Sequence, residues 1–140
     1  RYGVRSFSGV DYVKQNDAEL AAAFERRLDT EDALEGAARE LITELGAKGA
    51  LITRGEKGMM LFLADGERHE IPVSDRSEVY DVSGAGDTCV AAFILALAGG
   101  TSPLAAVRLS NIASGIAVRK FGTATVSAAE LTKKVRELSV

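Results

Sequence analysis

The stretch that most restricts what this chain can fold into is Gly84-Ala85-Gly86-Asp87, set directly ahead of the unbroken apolar run Cys89 to Ala98. A tight turn of small residues followed by a helix lets successive backbone N–H groups converge at a helix N-terminus, the natural place to hold an anion. The apolar run has about half the length needed to span a bilayer and ends at Gly99-Gly100, so it is expected to be a buried core helix. The loop is neither the Walker A pattern nor the dinucleotide Gly-x-Gly-x-x-Gly. An Asp beside a bound phosphate suffers like-charge repulsion, which points to Asp87 as a base on an incoming hydroxyl. From the local pattern alone, a Gly-rich turn with Asp87 as a helix-start charge stands equally open.

The rest of the chain alternates strand and helix signals, the pattern of an α/β layered fold. Asp11 to Gln15 suits a strand, and after a polar turn at Asn16-Asp17 a helix is expected through Leu20, Ala23, Phe24 and Leu28. Thr30 is a good N-cap with Glu31 and Asp32 in the first turn, and Leu34, Ala37, Ala38, Leu41, Ile42 and Leu45 recur at helical spacing until Gly46. Ala50 to Thr53 reads as a strand with a turn at Gly55-Glu56-Lys57-Gly58. Met59 to Leu63 and Glu70 to Val73 read as paired strands around Asp65-Gly66. Val79-Tyr80 leads into the Gly-rich loop. Ser102 and Pro103 open a small-residue helix that ends near Lys120-Phe121-Gly122. Ser127 and Glu130 form a capping box for a last helix, with Leu131, Val135 and Leu138 as its buried stripe.

Composition excludes several classes. With 17 Lys+Arg against 20 Asp+Glu, the net charge of -3 offers no field for a phosphate backbone, so no nucleic-acid partner is expected. One Cys and one His support neither a disulfide scaffold nor a structural zinc site. No membrane partner is expected either. The chain opens on Arg1-Tyr2-Gly3 without Met or an apolar leader, and is expected to be part of something longer.

Asp81-Val82-Ser83-Gly84-Ala85-Gly86-Asp87-Thr88 resembles the C-terminal signature of the ribokinase-like (PfkB) carbohydrate kinases, Asp-Thr-x-Gly-Ala-Gly-Asp. Three further positions agree in order: Asn16-x-x-Glu19, Thr53-Arg54-Gly55-Glu56-Lys57-Gly58 and Gly122-Thr123. Gln15 stands where the family has Pro, and Val82 where it usually has Thr. The resemblance runs along essentially the whole chain but spans only the C-terminal, nucleotide-binding half of such a kinase. It implies the ribokinase-like three-layer α/β fold with the N-terminal sugar-binding and lid half absent. Within the family, the wording is most similar to the heptose-7-phosphate kinases, including the kinase half of the bifunctional ADP-heptose synthases.

By that resemblance the expected activity is ATP-dependent phosphorylation of a sugar or sugar phosphate. Asp87 would be the catalytic base, and the N–H groups of Gly84, Ala85 and Gly86 the anion hole. Thr53, Gly55 and Gly58 would approach the nucleotide, with Arg54 or Lys57 neutralising charge; Asn111 and Gly122 would lie toward the adenine. Asn16 and Glu19 would order the waters of Mg²⁺, although the same pair is also a capping box. Asp81 and Ser83 match positions that help bind a monovalent cation in several members. The resemblance further implies a cytoplasmic enzyme, leaves a homo-oligomer open, and makes these 140 residues alone inactive. The alternatives are a ribokinase- or fructokinase-like kinase of another sugar, or a non-catalytic nucleotide-binding module.

Overall fold

The structure, a computed structural model, describes residues 3–74 and 81–138. It divides into two compact units, Arg1–Glu70 and Ile71–Val140. Val79-Tyr80 lies outside the described residues.

In the first unit, strand β1 (Tyr12–Asn16) runs into helix α1 (Asp17–Phe24), followed by α2 (Glu31–Leu45), β2 (Gly49–Thr53), β3 (Met59–Leu63) and β4 (Arg68–Ile71). The sheet order is β1-β2-β3-β4. β1 and β2 are parallel, with Asn16 opposite Thr53, so both candidate loops leave the sheet at the same end. β3 returns antiparallel, with Thr53 opposite Met59. The segment between β1 and β2 includes the helices because parallel strands need a long crossover.

The expected α2 is present in detail. The Thr30 hydroxyl accepts from the Ala33 N–H at 3.2 Å, and Gly46 takes the left-handed conformation that ends the helix. All six residues of the apolar stripe are buried, against Leu20, Phe24, Ala50, Ile52, Met60 and Phe62. Each such large side chain contributes about 1.5–3 kcal/mol of burial. β2 and β3 are buried on four of five positions, which is why they read as continuous apolar runs rather than alternating ones. Gly49 is required within the sheet: a Cβ there would meet the Phe62 carbonyl oxygen at 2.8 Å.

Two elements of this unit depart from the sequence expectation by more than one residue. Helix α1 stops at Phe24, short of Leu28, because Glu25 adopts a left-handed conformation and the Arg26 N–H turns back to the Ala21 carbonyl. β4 runs Arg68–Ile71 rather than Glu70 to Val73, since the turn closes early, with the Leu63 N–H donating to the Glu67 carbonyl at 2.9 Å.

The second unit holds α3 (Ala85–Ala98), α4 (Pro103–Ala117) and α5 (Ala128–Leu138). The Ser102 hydroxyl caps α4, with Pro103 in the first turn. Here two expectations are corrected. The run Cys89 to Ala98 is helical but not a fully buried helix: Cys89, Phe93 and Ala96 are inside, whereas Ile94 is 49% and Leu95 72% exposed. A helix apolar on all sides presents more than one apolar face, and within this unit one of them is covered. In α5 the Ser127/Glu130 capping box forms, yet Leu131 and Val135 are only half-buried and Leu138 is exposed. Among the described residues, no helix is long and apolar enough to cross a membrane.

Candidate active site

The candidates from Asn16 to Gly58 lie in the first unit. Asn16 is the N-cap of α1: its Oδ1 accepts from the Glu19 N–H at 2.7 Å, and Glu19 Oε2 accepts from the Asn16 N–H at 2.7 Å. The pair therefore makes a complete capping box, with Glu19 otherwise exposed and Lys14 Nζ 4.0 Å from Oε2. Thr53 ends β2, and the next residues form one tight helical turn, Gly55–Lys57. Arg54 closes it, donating its N–H to the Gly58 carbonyl at 2.8 Å and accepting from the Lys57 N–H at 3.0 Å. The Arg54 guanidinium does not extend into solvent. Its Nη1 lies 3.4 Å from Glu31 Oε1 and 3.1 Å from the Met60 sulfur.

The remaining candidates lie in the second unit. Gly84 caps α3 with φ +76°, a left-handed conformation that a side chain strains, and a Cβ there would also meet Thr123 Cγ2 at 3.1 Å. The Ala85 N–H donates to the Val82 carbonyl at 3.2 Å, so one of the three expected anion-hole donors is engaged inside the turn. Among the described residues the N–H groups of Gly84 and Gly86 have no such partner. Asp87 falls in the first turn of α3, exposed, and no donor among the described residues contacts its carboxylate.

Asp81 fixes this loop to a second one 41 residues away. Its Oδ1 accepts from the Ser83 N–H at 2.8 Å and its Oδ2 from the Gly122 N–H at 3.0 Å, while its own N–H donates to the Val118 carbonyl at 3.1 Å. The Ser83 contacts foremost, and then Gly122, hold the Asp81 carboxyl below the ordinary range of an aspartate. The Ser114 hydroxyl adds a bond to the Ala85 carbonyl at 3.3 Å. Asn111 is buried, and its Nδ2 donates to the Pro72 carbonyl at 2.7 Å, so its amide donor ties the helix to the incoming chain. Among the described residues, no three His, Cys, Asp or Glu cluster as metal ligands.

Sequence reasoning named Asp81 as a site residue but missed the two contacts that hold the loops in place, Glu31 with Arg54 and Asp81 with Gly122. The spacings of 23 and 41 residues carry no local signal for either contact.

Residues 4–130 match the pfkB family carbohydrate kinases. The chain belongs to that family. It is 44% identical over 133 residues to the bifunctional protein HldE of Acidiphilium cryptum and 43% identical over 134 residues to that of Rhodospirillum rubrum. Those alignments cover 95% and 96% of this chain but 27% of each relative, so the chain spans about a quarter of their length. The Arabidopsis thaliana ribokinase complexed with ribose and ATP superposes with a TM-score of 0.86 at 25% identity, over 94% of this chain and 42% of that one. The Escherichia coli phosphofructokinase-2 in complex with potassium does so with a TM-score of 0.83 at 27% identity, over 95% of this chain and 42% of that one. The PfkB chain thus has the ribokinase-like α/β fold and matches less than half the length of each of those two structures.

Proposed function

We propose that this chain is the nucleotide-binding, catalytic-base portion of an ATP-dependent sugar kinase, a cytoplasmic enzyme that phosphorylates heptose 7-phosphate. The observation that carries the activity is Asp87: an exposed carboxylate in the first turn of α3, with no protein donor among the described residues, beside the open N–H groups of Gly84 and Gly86. A helix-start charge with no other task would need no such loop, whereas a base must keep its lone pairs available to an incoming hydroxyl. The similarity to the HldE proteins supports the heptose assignment.

In this reading the Gly84 and Gly86 N–H groups and the α3 dipole stabilise the transferring phosphoryl group, and Asp87 takes the proton of the acceptor hydroxyl. Asp81 keeps the anion loop and the Gly122 turn in register, and Gly55 to Gly58 lie along the nucleotide. Glu19 Oε1 is outside the capping box, and a hard carboxylate oxygen at an exposed helix start suits a hydrated Mg²⁺. Bound there, the ion would neutralise phosphate charge. For a monovalent cation, Asp81 has lone pairs beyond the two used by Ser83 and Gly122, so its carboxylate could serve both purposes.

The test is Asp87→Asn in the full-length parent. Asn preserves shape, and loss of a general base costs about 10²–10⁴ in rate. Turnover should fall by that factor while melting temperature and ATP affinity stay near wild type. Full activity, or a collapsed melting temperature, would refute the assignment. The 140 residues alone should release no ADP in a sugar-dependent manner, because the acceptor would not be positioned.

A further inference from the structure

A single chain of alternating charges runs across the first unit and ends on the loop that closes at Arg54. Glu31, in the first turn of α2, takes Arg54 on Oε1 and Arg68 Nη2 on Oε2 at 2.8 Å. Arg68 Nη1 donates to Glu35 Oε2 at 3.0 Å, Glu35 Oε1 accepts from Arg39 Nε at 2.7 Å, and Arg39 Nη2 reaches the Gly66 carbonyl at 3.0 Å. Both carboxylates are held below their ordinary range, Glu31 by Arg68 and then Arg54, Glu35 by Arg39 and then Arg68. The Arg54 side chain is 11% exposed, the least of the arginines in this chain of pairs. Lys57, by contrast, is exposed and has no ion pair among the described residues.

Two features of Arg54 therefore act together. Its backbone holds both ends of the Gly55–Lys57 turn, and its guanidinium is turned away from solvent onto α2 and β3. A planar, weakly hydrated guanidinium suits such a covered position, where an ammonium would not reach both partners. A phosphate ligand, in contrast, would need that group outside.

We infer that Glu31 is a positioning residue for the nucleotide loop: it anchors Arg54 against α2 and Met60, sets the turn, and leaves Lys57 as the loop's cation for the nucleotide phosphates. This rests on the reading of Thr53 to Gly58 as the nucleotide loop. It also gives Arg54 a different task from the charge-neutralising one that the family resemblance suggests.

The test compares Glu31→Gln, Arg54→Met, the double variant and Lys57→Met in the full-length parent, by ATP KM, kcat and nucleotide Kd. Asp32→Asn is the control, because it removes a charge from the same helix turn without touching Arg54. Glu31→Gln and Arg54→Met should each raise the ATP KM about two- to fivefold at unchanged kcat, the range of a partly exposed ion pair. The double variant should go no further than the singles, since both break one contact. Lys57→Met should raise the KM independently, and Asp32→Asn should leave it alone. If Lys57→Met raises the KM and Glu31→Gln does not, the anchoring role is wrong while the loop assignment stands. An effect of Arg54→Met more than tenfold beyond that of Glu31→Gln would make Arg54 a phosphate ligand and also overturn it. No change in nucleotide binding in any of these four variants would remove the loop assignment and the anchoring role together.

Discussion

The two units solve the problem of holding a functional loop in different ways. In the first, α2 lays an apolar stripe on the sheet, and the Gly55–Lys57 turn hangs from buried β2 and β3. In the second, α3 buries little beyond Cys89, Phe93 and Ala96, and its N-terminal loop is fixed by polar contacts of Asp81 and Ser114. Burial is non-directional and tolerates adjustment, whereas hydrogen bonds fix the direction of each N–H. Hydrogen bonds close both loops, but the one proposed to stabilise a developing charge has little burial beside them and depends on them most, as electrostatic preorganisation requires.

The widest expected gap concerns the apolar residues themselves. Leu41→Ala in α2 should cost about 2–5 kcal/mol, the range for a fully buried leucine. Leu95→Ala in α3, at 72% exposure, should stay within about 0.5 kcal/mol. Urea denaturation of both variants measures the contrast. Equal losses would mean that α3 is covered as α2 is, and the distinction between the units would fall.

A smaller effect separates structure from chemistry at Glu19. In the full-length parent, Glu19→Gln can still accept the Asn16 N–H, so its stability loss should not exceed the about 0.5–2 kcal/mol of a lost cap. If the other oxygen orders the Mg²⁺ waters, the same change should raise the Mg²⁺ concentration needed for half-maximal turnover. Melting temperature and Mg²⁺ titration, taken on one preparation, distinguish the outcomes; an unchanged Mg²⁺ curve would leave the pair as a cap alone.

What could be read ahead of the structure were features whose cause lies within a few residues. Thr30 with Gly46, Ser102 with Pro103, Asn16 with Glu19 and Ser127 with Glu130 each mark a helix end through contacts three or four residues apart. The family signature located the loops for a similar reason: its residues are contiguous. The early stop of α1 was not legible, because Glu25-Arg26-Arg27-Leu28 would suit a helix. Phe24 is instead packed between guanidinium groups, with Arg5 at 4.6 Å and Arg26 at 5.3 Å from its ring centre. The buried side of α3 was illegible too, since an all-apolar run has no polar face to mark the outside. Arg54 was legible as a loop cation but not as an anchored one, because Glu31 comes from a helix in a different layer.

The smallest effect tests whether the polar fastening of the second unit is sensitive to acid. Glu130 Oε1 pairs with Lys120 Nζ at 2.7 Å, and Oε2 accepts from the Ser127 N–H at 2.8 Å and its hydroxyl at 2.9 Å. The Lys120 bond first, then those from Ser127, bring the Glu130 carboxyl from 4.5 down to about 2. A folded-state value below the unfolded one means that the native state holds the proton less tightly, so acid favours unfolding. The stabilisation is fully present above pH 4.5 and is lost as the pH falls from there toward about 2. Glu130→Gln keeps an acceptor for Ser127 but removes the titration, and should flatten the fall in melting temperature across that window. Because the pair is exposed, raising the salt concentration should bring wild type and variant together. Parallel curves at low salt would show that this carboxylate does not couple to folding, and that α5 is held by its half-buried Leu131 and Val135 instead.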